Sequence, residues 1–458
     1  MKNLELILTK IENVVWGIPL IVLLMSTHIY FTIKLKVPQK YVFCGLKMLL
    51  NEDKSKENEG ISSFKAMMSV LAATLGTGNI IGVASAIIIG GIGSIFWMFV
   101  SGVLAIATKY AETYIVLKYR KKNKSGKFGG TMYVLDERIG NKKAAVLFSI
   151  LLVITTIGMG ALIQSNAISA TISSNFNIDV RIVAIFVTFL CGYVILGNEK
   201  KVADVSSVLV PIAVGMYLVT CCILLVLFRN NIINSIINII KEAFSLKATL
   251  GGFLSSSMVL SMSSGLSKGL FTNESGMGTS PIFDVTVKEE NMTKQSIISS
   301  TTVFIDTVLL CTITGIIFVS SNMYQYFQNP IELSQQIFST IPYGRFLYIF
   351  SIIVFAIATI PCSAYYGSIG IKYLFSSKKI YILIYKTIYI LFIYIGTTMQ
   401  VKEVWSVSSI ANALLVIPNI YMLFYLRKEI VLDKENINIS KGKTKNEDRR
   451  TLYHDTTK

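Results

Sequence analysis

The feature that most limits the fold of this chain is a succession of apolar runs, each about 20 residues long, separated by short polar segments. A run of that length crosses the hydrocarbon core of a bilayer as a helix. Eleven spans are predicted, at about 13–33, 64–90, 94–117, 144–171, 182–197, 203–228, 250–283, 295–319, 346–371, 380–396 and 404–426. The runs are continuous rather than alternating, which excludes a membrane β-barrel. Of 458 residues, 53% are hydrophobic and only 15% charged. Soluble domains carry about 25% charge, so a soluble enzyme is excluded as well. The first span is followed by Lys34, Lys36 and Lys40 without a small-residue cleavage site, which is a stop-transfer pattern and not a signal peptide.

The net charge of +17 sits between the apolar runs. It therefore reads as membrane topology and not as nucleic-acid binding. With the N-terminus outside, the inside segments hold 31 Lys and Arg and the outside segments 7. That bias predicts a multi-pass plasma-membrane protein with a cytoplasmic C-terminus. The loop 118–143 is the most basic. Residues 232–245 are amphipathic and are expected along the outer interface. The tail beyond Leu432 is polar and is expected to be disordered. Six cysteines form no CxxC pair and there are two histidines, so neither a disulfide framework nor a structural metal site is expected.

Two spans are interrupted. The first interruption is LGTGN at 75–79 and the second is GLFTNESGMGTSP at 269–281. From Gly76 to Phe228 is 152 residues, and from Thr272 to Leu426 is 154. The chain is thus expected to be an all-α polytopic protein of two five-helix repeats, 64–228 and 250–426, each opening with a broken helix. With five spans each, the repeats run inverted. A further helix and linker, 1–63, precede them. An outer segment, 229–249, joins them, and a charged tail, 427–458, follows. A single glycine-rich stretch can serve helix packing alone. Paired interruptions at matching positions instead point to a transporter's binding site. Half-helix N-termini suit a carboxylate and freed carbonyls suit a hard cation.

The run GTGNIIGVASAIIIGGIGSIFWMF, then KYAETYIVLKYR, resembles the alanine or glycine:cation symporter family. So do GGTMY at 129–133, IQSNAI at 163–168, GLFTNESGMGTSP, DTVLLCTIT at 306–314, YYG at 365–367 and IPNI at 417–420. The resemblance covers roughly residues 60–425. It implies the leucine-transporter-like five-plus-five fold and Na⁺-coupled import of a small neutral amino acid, with no enzymatic activity. It leaves the amino acid and the oligomeric state open.

By that resemblance, Gly76, Thr77, Gly78 and Asn79 bind the substrate carboxylate, and Gln164, Phe271, Thr272 and Asn273 join them. The carbonyls of Ala72 and Leu75, with the Thr359 hydroxyl, would hold the co-transported sodium ion. The family usually has a hydroxyl before Thr359, where this chain has Ala358, which leaves coupling to H⁺ through Asp306 or Glu274 as the alternative. It usually has tryptophan where this chain has Ser363. Ser363 is thus expected opposite Phe271, in a pocket large enough for glutamine. Glu274 is expected to brace the second interruption with Lys268. Lys109 and Glu112 are read as an interfacial pair, and His28 as outside the transport machinery.

Overall fold

The computed structural model describes residues 11–12, 14–50, 60–123, 126–245, 257–399 and 401–433. The extreme N-terminus, the start of the seventh span and the polar tail lie outside the described residues. The chain opens with α1 (Ile18–Lys34), then α2 (Val42–Leu50), α3 (Ser63–Thr74), α4 (Ile81–Gly90) and α5 (Ser94–Lys118). Next come strands β1 (Lys121–Asn123) and β2 (Gly126–Phe128). The helices α6 (Lys142–Thr155) and α7 (Gln164–Phe176) are joined through a π-helical stretch, Thr156–Ile163. Then follow α8 (Val180–Ile195), α9 (Glu199–Leu227), α10 (Arg229–Ala243), α11 (Ser257–Asn273) and α12 (Pro281–Asp284). A second π-helical stretch, Phe304–Cys311, joins α13 (Met292–Val303) to α14 (Thr312–Ser320). The last helices are α15 (Pro330–Phe338), α16 (Gly344–Leu374), α17 (Lys379–Thr398) and α18 (Val401–Tyr425).

Several helices begin at a side chain that accepts one of the unpaired first-turn N–H groups. Ser62 accepts from Lys65 N, Asn141 from Ala144 N, Asn198 from Lys201 N and Asn291 from Lys294 N. Among the described residues, seven continuous helices are long and apolar enough to cross a membrane, or eight if the bent pair Ile18–Lys34 and Pro38–Leu49 counts as one span. Three of the spans read from the sequence fall short of that measure for visible reasons. α3 and α4 are separated by a break, α11 and α12 by another, and α8 has only 16 residues. Outward-facing side chains of α8 and α17, including Phe186, Phe189, Leu383 and Leu391, are exposed and apolar, as lipid contact requires.

The broken pairs occupy the middle of the bundle. α11 and α13 pack on α5, α9 packs on α3 and α16, and α16 closes against α6 and the first π-helical stretch. The basic loop 118–143 is not a plain connector, for β1 and β2 pair as an antiparallel hairpin. At that hairpin end a parallel bridge joins Ile61, just before α3, to Val287, just after α12. Ile61 N donates to Thr286 O at 3.2 Å and Lys288 N to Ile61 O at 3.1 Å. Lys127 Nζ reaches Val287 O and Lys288 O, both at 3.2 Å, so the hairpin covers the bridge.

The exit from α18 is fastened at the same end. Glu429 accepts from Lys118 at 2.7 Å, from Arg138 at 2.8 Å and from Tyr119. Partial burial raises its carboxyl, but these three donors outweigh that and hold it at about 2 instead of the ordinary 4.5. A folded-state value below the unfolded one stabilises the fold above the unfolded value and loses that effect as pH falls. Glu429→Gln should therefore melt below the wild type in detergent at pH 7. The gap should close as pH drops from about 4.3 toward 2. A gap that persists unchanged at pH 2 would show that the clasp does not depend on this charge.

Candidate functional site

At the first break α3 stops at Thr74, Gly76 is extended, and Thr77–Asn79 form one 3₁₀ turn before α4. In a continuous helix Gly76 N would bond to Ala72 O and Thr77 N to Ala73 O. Instead Gly76 N turns to Thr74 O at 2.8 Å, and Thr77 N donates to Gln164 Oε1 at 3.0 Å. The carbonyls of Ala72 and Ala73 thereby lose their helical donors. Gln164 is held in turn by Met159 O, 3.2 Å from its Nε2. The glycines serve close approach here. A Cβ on Gly76 would lie 2.7 Å from Gln164 Nε2, and one on Gly78 would lie 2.9 Å from both Phe271 Cδ1 and Thr272 Cγ2. The two breaks thus touch through Gly78, Phe271 and Thr272.

Thr359 lies across from the first break, with its Oγ1 3.5 Å from Leu75 O and 2.8 Å from Phe355 O. A hydroxyl has one proton, and the shorter bond to Phe355 takes it. Two oxygens, Leu75 O and Thr359 Oγ1, are left facing each other without a proton between them. Hard cations take oxygen ligands at about 2.3–2.6 Å, which puts ligands at right angles about 3.3–3.7 Å apart. The donor set and its spacing fit such an ion. Ala358 adds no side-chain oxygen.

Asn79 is turned the other way. Its Nδ2 donates to Asp306 Oδ1 at 2.6 Å and to Asp306 O at 3.2 Å. Asp306 Oδ2 accepts from Thr307 Oγ1 at 2.8 Å. Thr307 Oγ1 is 3.1 Å from Thr272 Oγ1 and accepts from Asn273 Nδ2 at 3.2 Å. Asp306 is therefore the hub of a buried chain from the first break to the second. It lies inside the π-helical stretch Phe304–Cys311, and Gln164 directly follows the stretch Thr156–Ile163. Such stretches distort the helix and re-aim side chains.

The second break is braced by groups that sequence reasoning misplaced. Lys109 and Glu112 are not an interfacial pair, for both are fully buried on α5. Lys109 Nζ donates to Asn273 O at 3.0 Å, capping the C-terminal end of α11, where a cation is favoured. Glu112 Oε1 accepts from Gly276 N at 2.7 Å, Gly278 N at 3.2 Å and Asn419 Nδ2 at 2.5 Å. Asn419 also reaches Gly276 O, and Thr131 Oγ1 donates to Gly278 O. Glu274, Gly276 and Gly278 all have positive φ. Glu274 does lie in this break, but its Oε2 accepts from Thr279 Oγ1 at 2.6 Å, while Lys268 interacts electrostatically with Glu12. The missed signal was position. Lys109 and Glu112 stand well inside an apolar helix, and Thr131 and Asn419 belong to GGTMY and IPNI.

Most of the residues singled out in the sequence come together here: Ala72, Leu75, Gly76, Thr77, Gly78, Asn79, Gln164, Phe271, Thr272, Asn273 and Thr359. Ser363 stands apart. It packs against Gly160 and Tyr389, one turn beyond Thr359 on α16 and level with a residue one turn before Gln164. His28 Nδ1 is 2.7 Å from Thr108 Oγ1 and fastens α1 to α5. Several of the buried oxygens that no described donor reaches lie at the breaks or their braces: Thr77 Oγ1, Asn79 Oδ1, Glu112 Oε2, Ser275 Oγ and Ser280 Oγ. Freed N–H and C=O groups beside such oxygens suit a ligand with both a carboxylate and a positive partner.

The sequence pattern of the Sodium:alanine symporter family matches residues 1–451, and the chain belongs to that family. It is 30% identical over 454 residues to a protein of Methanococcus maripaludis named Sodium/alanine symporter AgcS, covering 96% of this chain and 99% of the relative. It is also 30% identical to a Bacillus subtilis protein named Probable sodium/glutamine symporter GlnT, covering 93% and 89%. Its fold is similar to the crystal structure of MhsT in complex with L-phenylalanine, with a TM-score of 0.56 at 14% identity, over 81% of this chain and 90% of that one. The protein is a multi-pass membrane transporter of leucine-transporter-like fold, and not an enzyme.

Glu112 offers a direct test of the bracing. Glu112→Ala strips the acceptor from three donors, at about 1–3 kcal/mol for each group left unsatisfied. It should lower the melting temperature sharply, or prevent folding. Glu112→Gln keeps an acceptor oxygen and should retain most of the stability. Equal behaviour of the two variants would mean that Oε1 does not hold the break.

Proposed function

We propose that this member of the sodium:alanine symporter family imports a small neutral amino acid together with Na⁺ by alternating access. The amino acid is of the alanine or glycine class, with glutamine the largest candidate, as the name of the Bacillus relative suggests. The observation that carries the reading is the first break. It frees the Ala72 carbonyl, leaves Leu75 O facing Thr359 Oγ1 at 3.5 Å, and presents Thr77 N–H to an amide oxygen. In this reading Na⁺ lies among Ala72 O, Leu75 O and Thr359 Oγ1. The substrate carboxylate takes the N–H groups of Gly76–Asn79, where Gln164 Oε1 now stands for an acceptor oxygen. Phe271, Thr272 and Asn273 close over the substrate from the second break. Asn79 acts through Asp306, linking the two breaks. Ser363 tunes this space from one turn away rather than by contact.

The eleven spans then form the N-terminal helix and two inverted five-helix repeats, with the N-terminus outside and the hairpin end in the cytoplasm. Na⁺ coupling is preferred over proton coupling because both carboxylate oxygens of Asp306 already accept hydrogen bonds.

One Na⁺ moving with a neutral substrate carries one charge. At 100 mV that supplies about 2.3 kcal/mol, or roughly 50-fold accumulation. In proteoliposomes, uptake from a panel of alanine, glycine and glutamine should be electrogenic and should stop when choline replaces Na⁺. Thr359→Ala should raise the Na⁺ requirement more than it weakens binding at saturating Na⁺. Full uptake in choline, driven by a pH gradient, would reject Na⁺ coupling. Single cysteines at Lys122 and Gln328 should react with an impermeant thiol reagent from opposite sides. Labelling from one side would reject the inverted layout.

A further inference from the structure

A small cleft of about 50 Å³ opens at the hairpin end of the bundle, between the α8–α9 turn and the α16–α17 turn. Its inner wall includes Tyr365, which packs on Phe283 just after the second break, but none of the residues of the proposed transport site lines it. Lys372 and Lys386 line it together with Gly197, Asn198 and Glu199. Lys386 Nζ is tied to Gly197 O at 2.6 Å. Lys372 makes no ion pair or hydrogen bond among the described residues; Glu199 forms no ion pair with either lysine, and at Lys386 the repulsion from Lys372 outweighs the attraction of Glu199. Two ammonium groups in one cleft repel each other unless an anion lies between them. The N-terminus of α9 faces the same space, and that 29-residue helix adds a positive dipole end.

The surroundings decide what the anion is. The two turns, 196–201 and 372–386, carry six lysines and one acidic residue. The helices that lead away from the cleft, α8 and α17, are those whose outer faces are apolar and exposed: Phe186, Phe189 and Leu196 on one side, Leu383, Ile384 and Leu391 on the other. A charged cleft for a phosphate thus continues into an apolar surface for acyl chains. Basic pockets between transmembrane helices recognise anionic lipid head groups by this combination.

We propose that this cleft binds the phosphodiester head group of an anionic phospholipid. Lys372 and Lys386 contact the phosphate, and the acyl chains lie along α8 and α17. The site draws on the transporter's membrane setting but not on its substrate, and binding is read without any transport measurement.

The full-length protein in neutral detergent would be titrated with dioctanoyl phosphatidylglycerol, dioctanoyl phosphatidylcholine and inorganic phosphate, and followed by thermal unfolding. Phosphatidylglycerol alone should raise the melting temperature. Lys372→Gln should raise its half-saturating concentration about fivefold, the share of one lysine near a phosphate surface. Lys372→Arg should bind as the wild type does. Lys122→Gln, on the hairpin away from the cleft, should leave binding unchanged. If Lys372→Gln does not fold, Lys372→Met keeps the apolar stem and reads the same loss of charge. An equal effect of phosphatidylcholine, or wild-type affinity in the charge-neutral variant, would overturn the proposal. An equal shift with inorganic phosphate alone would assign the cleft to a soluble anion and overturn the lipid.

Discussion

A backbone polar group inside a membrane protein must find a partner within the protein, because no lipid will supply one. Two helix breaks in the middle of this bundle multiply that demand. Each unwound stretch exposes N–H and C=O groups far from either surface. The structure answers with buried polar side chains from helices that are themselves unbroken. Gln164 covers Thr77 N–H, Lys109 caps Asn273 O, and Glu112 with Asn419 holds Gly276 and Gly278. An unpaired charge at this depth would be costly. These charges are tolerable because each is spent on a backbone group that would otherwise be an equal liability.

The breaks themselves were legible in the sequence, because glycine and small polar residues inside an apolar run have few other readings. The matching distances on either side of them were legible too. Their bracing was not. Lys109 and Glu112 were visible as charges, but their distance from the ends of α5 was given too little weight, and nothing local says which neighbouring helix they face. Asn419 and Thr131 are separated from the break they hold by 143 and 147 residues or thereabouts in the chain. Such pairings depend on tertiary packing and leave no periodicity. The π-helical stretches were equally silent, since one extra residue per turn over eight residues barely alters an apolar pattern. Ser363 was expected opposite Phe271 only through the tryptophan usual at its position in the resembling family; in the fold its neighbours include Gly160 and Tyr389.

The chain of contacts through Asp306 gives the two breaks a common mechanical reference. Asn79 belongs to one, Thr272 and Asn273 to the other, and all three meet at Asp306 and its neighbour Thr307. A shift of either break alters the same few hydrogen bonds. The two breaks thus share one buried set of hydrogen bonds, and neither can be rearranged without reference to the other.

The bridge between Ile61 and Val287 sets how readily the hairpin end comes apart. It ties the segment entering α3 to the segment leaving α12, the outermost pieces of both broken helices. Besides the Lys127 contacts that cover it, the bridge itself consists of two backbone hydrogen bonds, each contributing about 0.5–1.5 kcal/mol net. Together they favour the closed arrangement by a factor of about 5–150. The ion pairs of Glu290 at the rim add little, because that carboxylate is 62% exposed. On these two bonds alone the bridge would be open for roughly one part in 150 to one in six of the time. In the transport cycle proposed above, a fastening this light would act as a latch with a weak spring, held shut by thermal odds rather than by a lock.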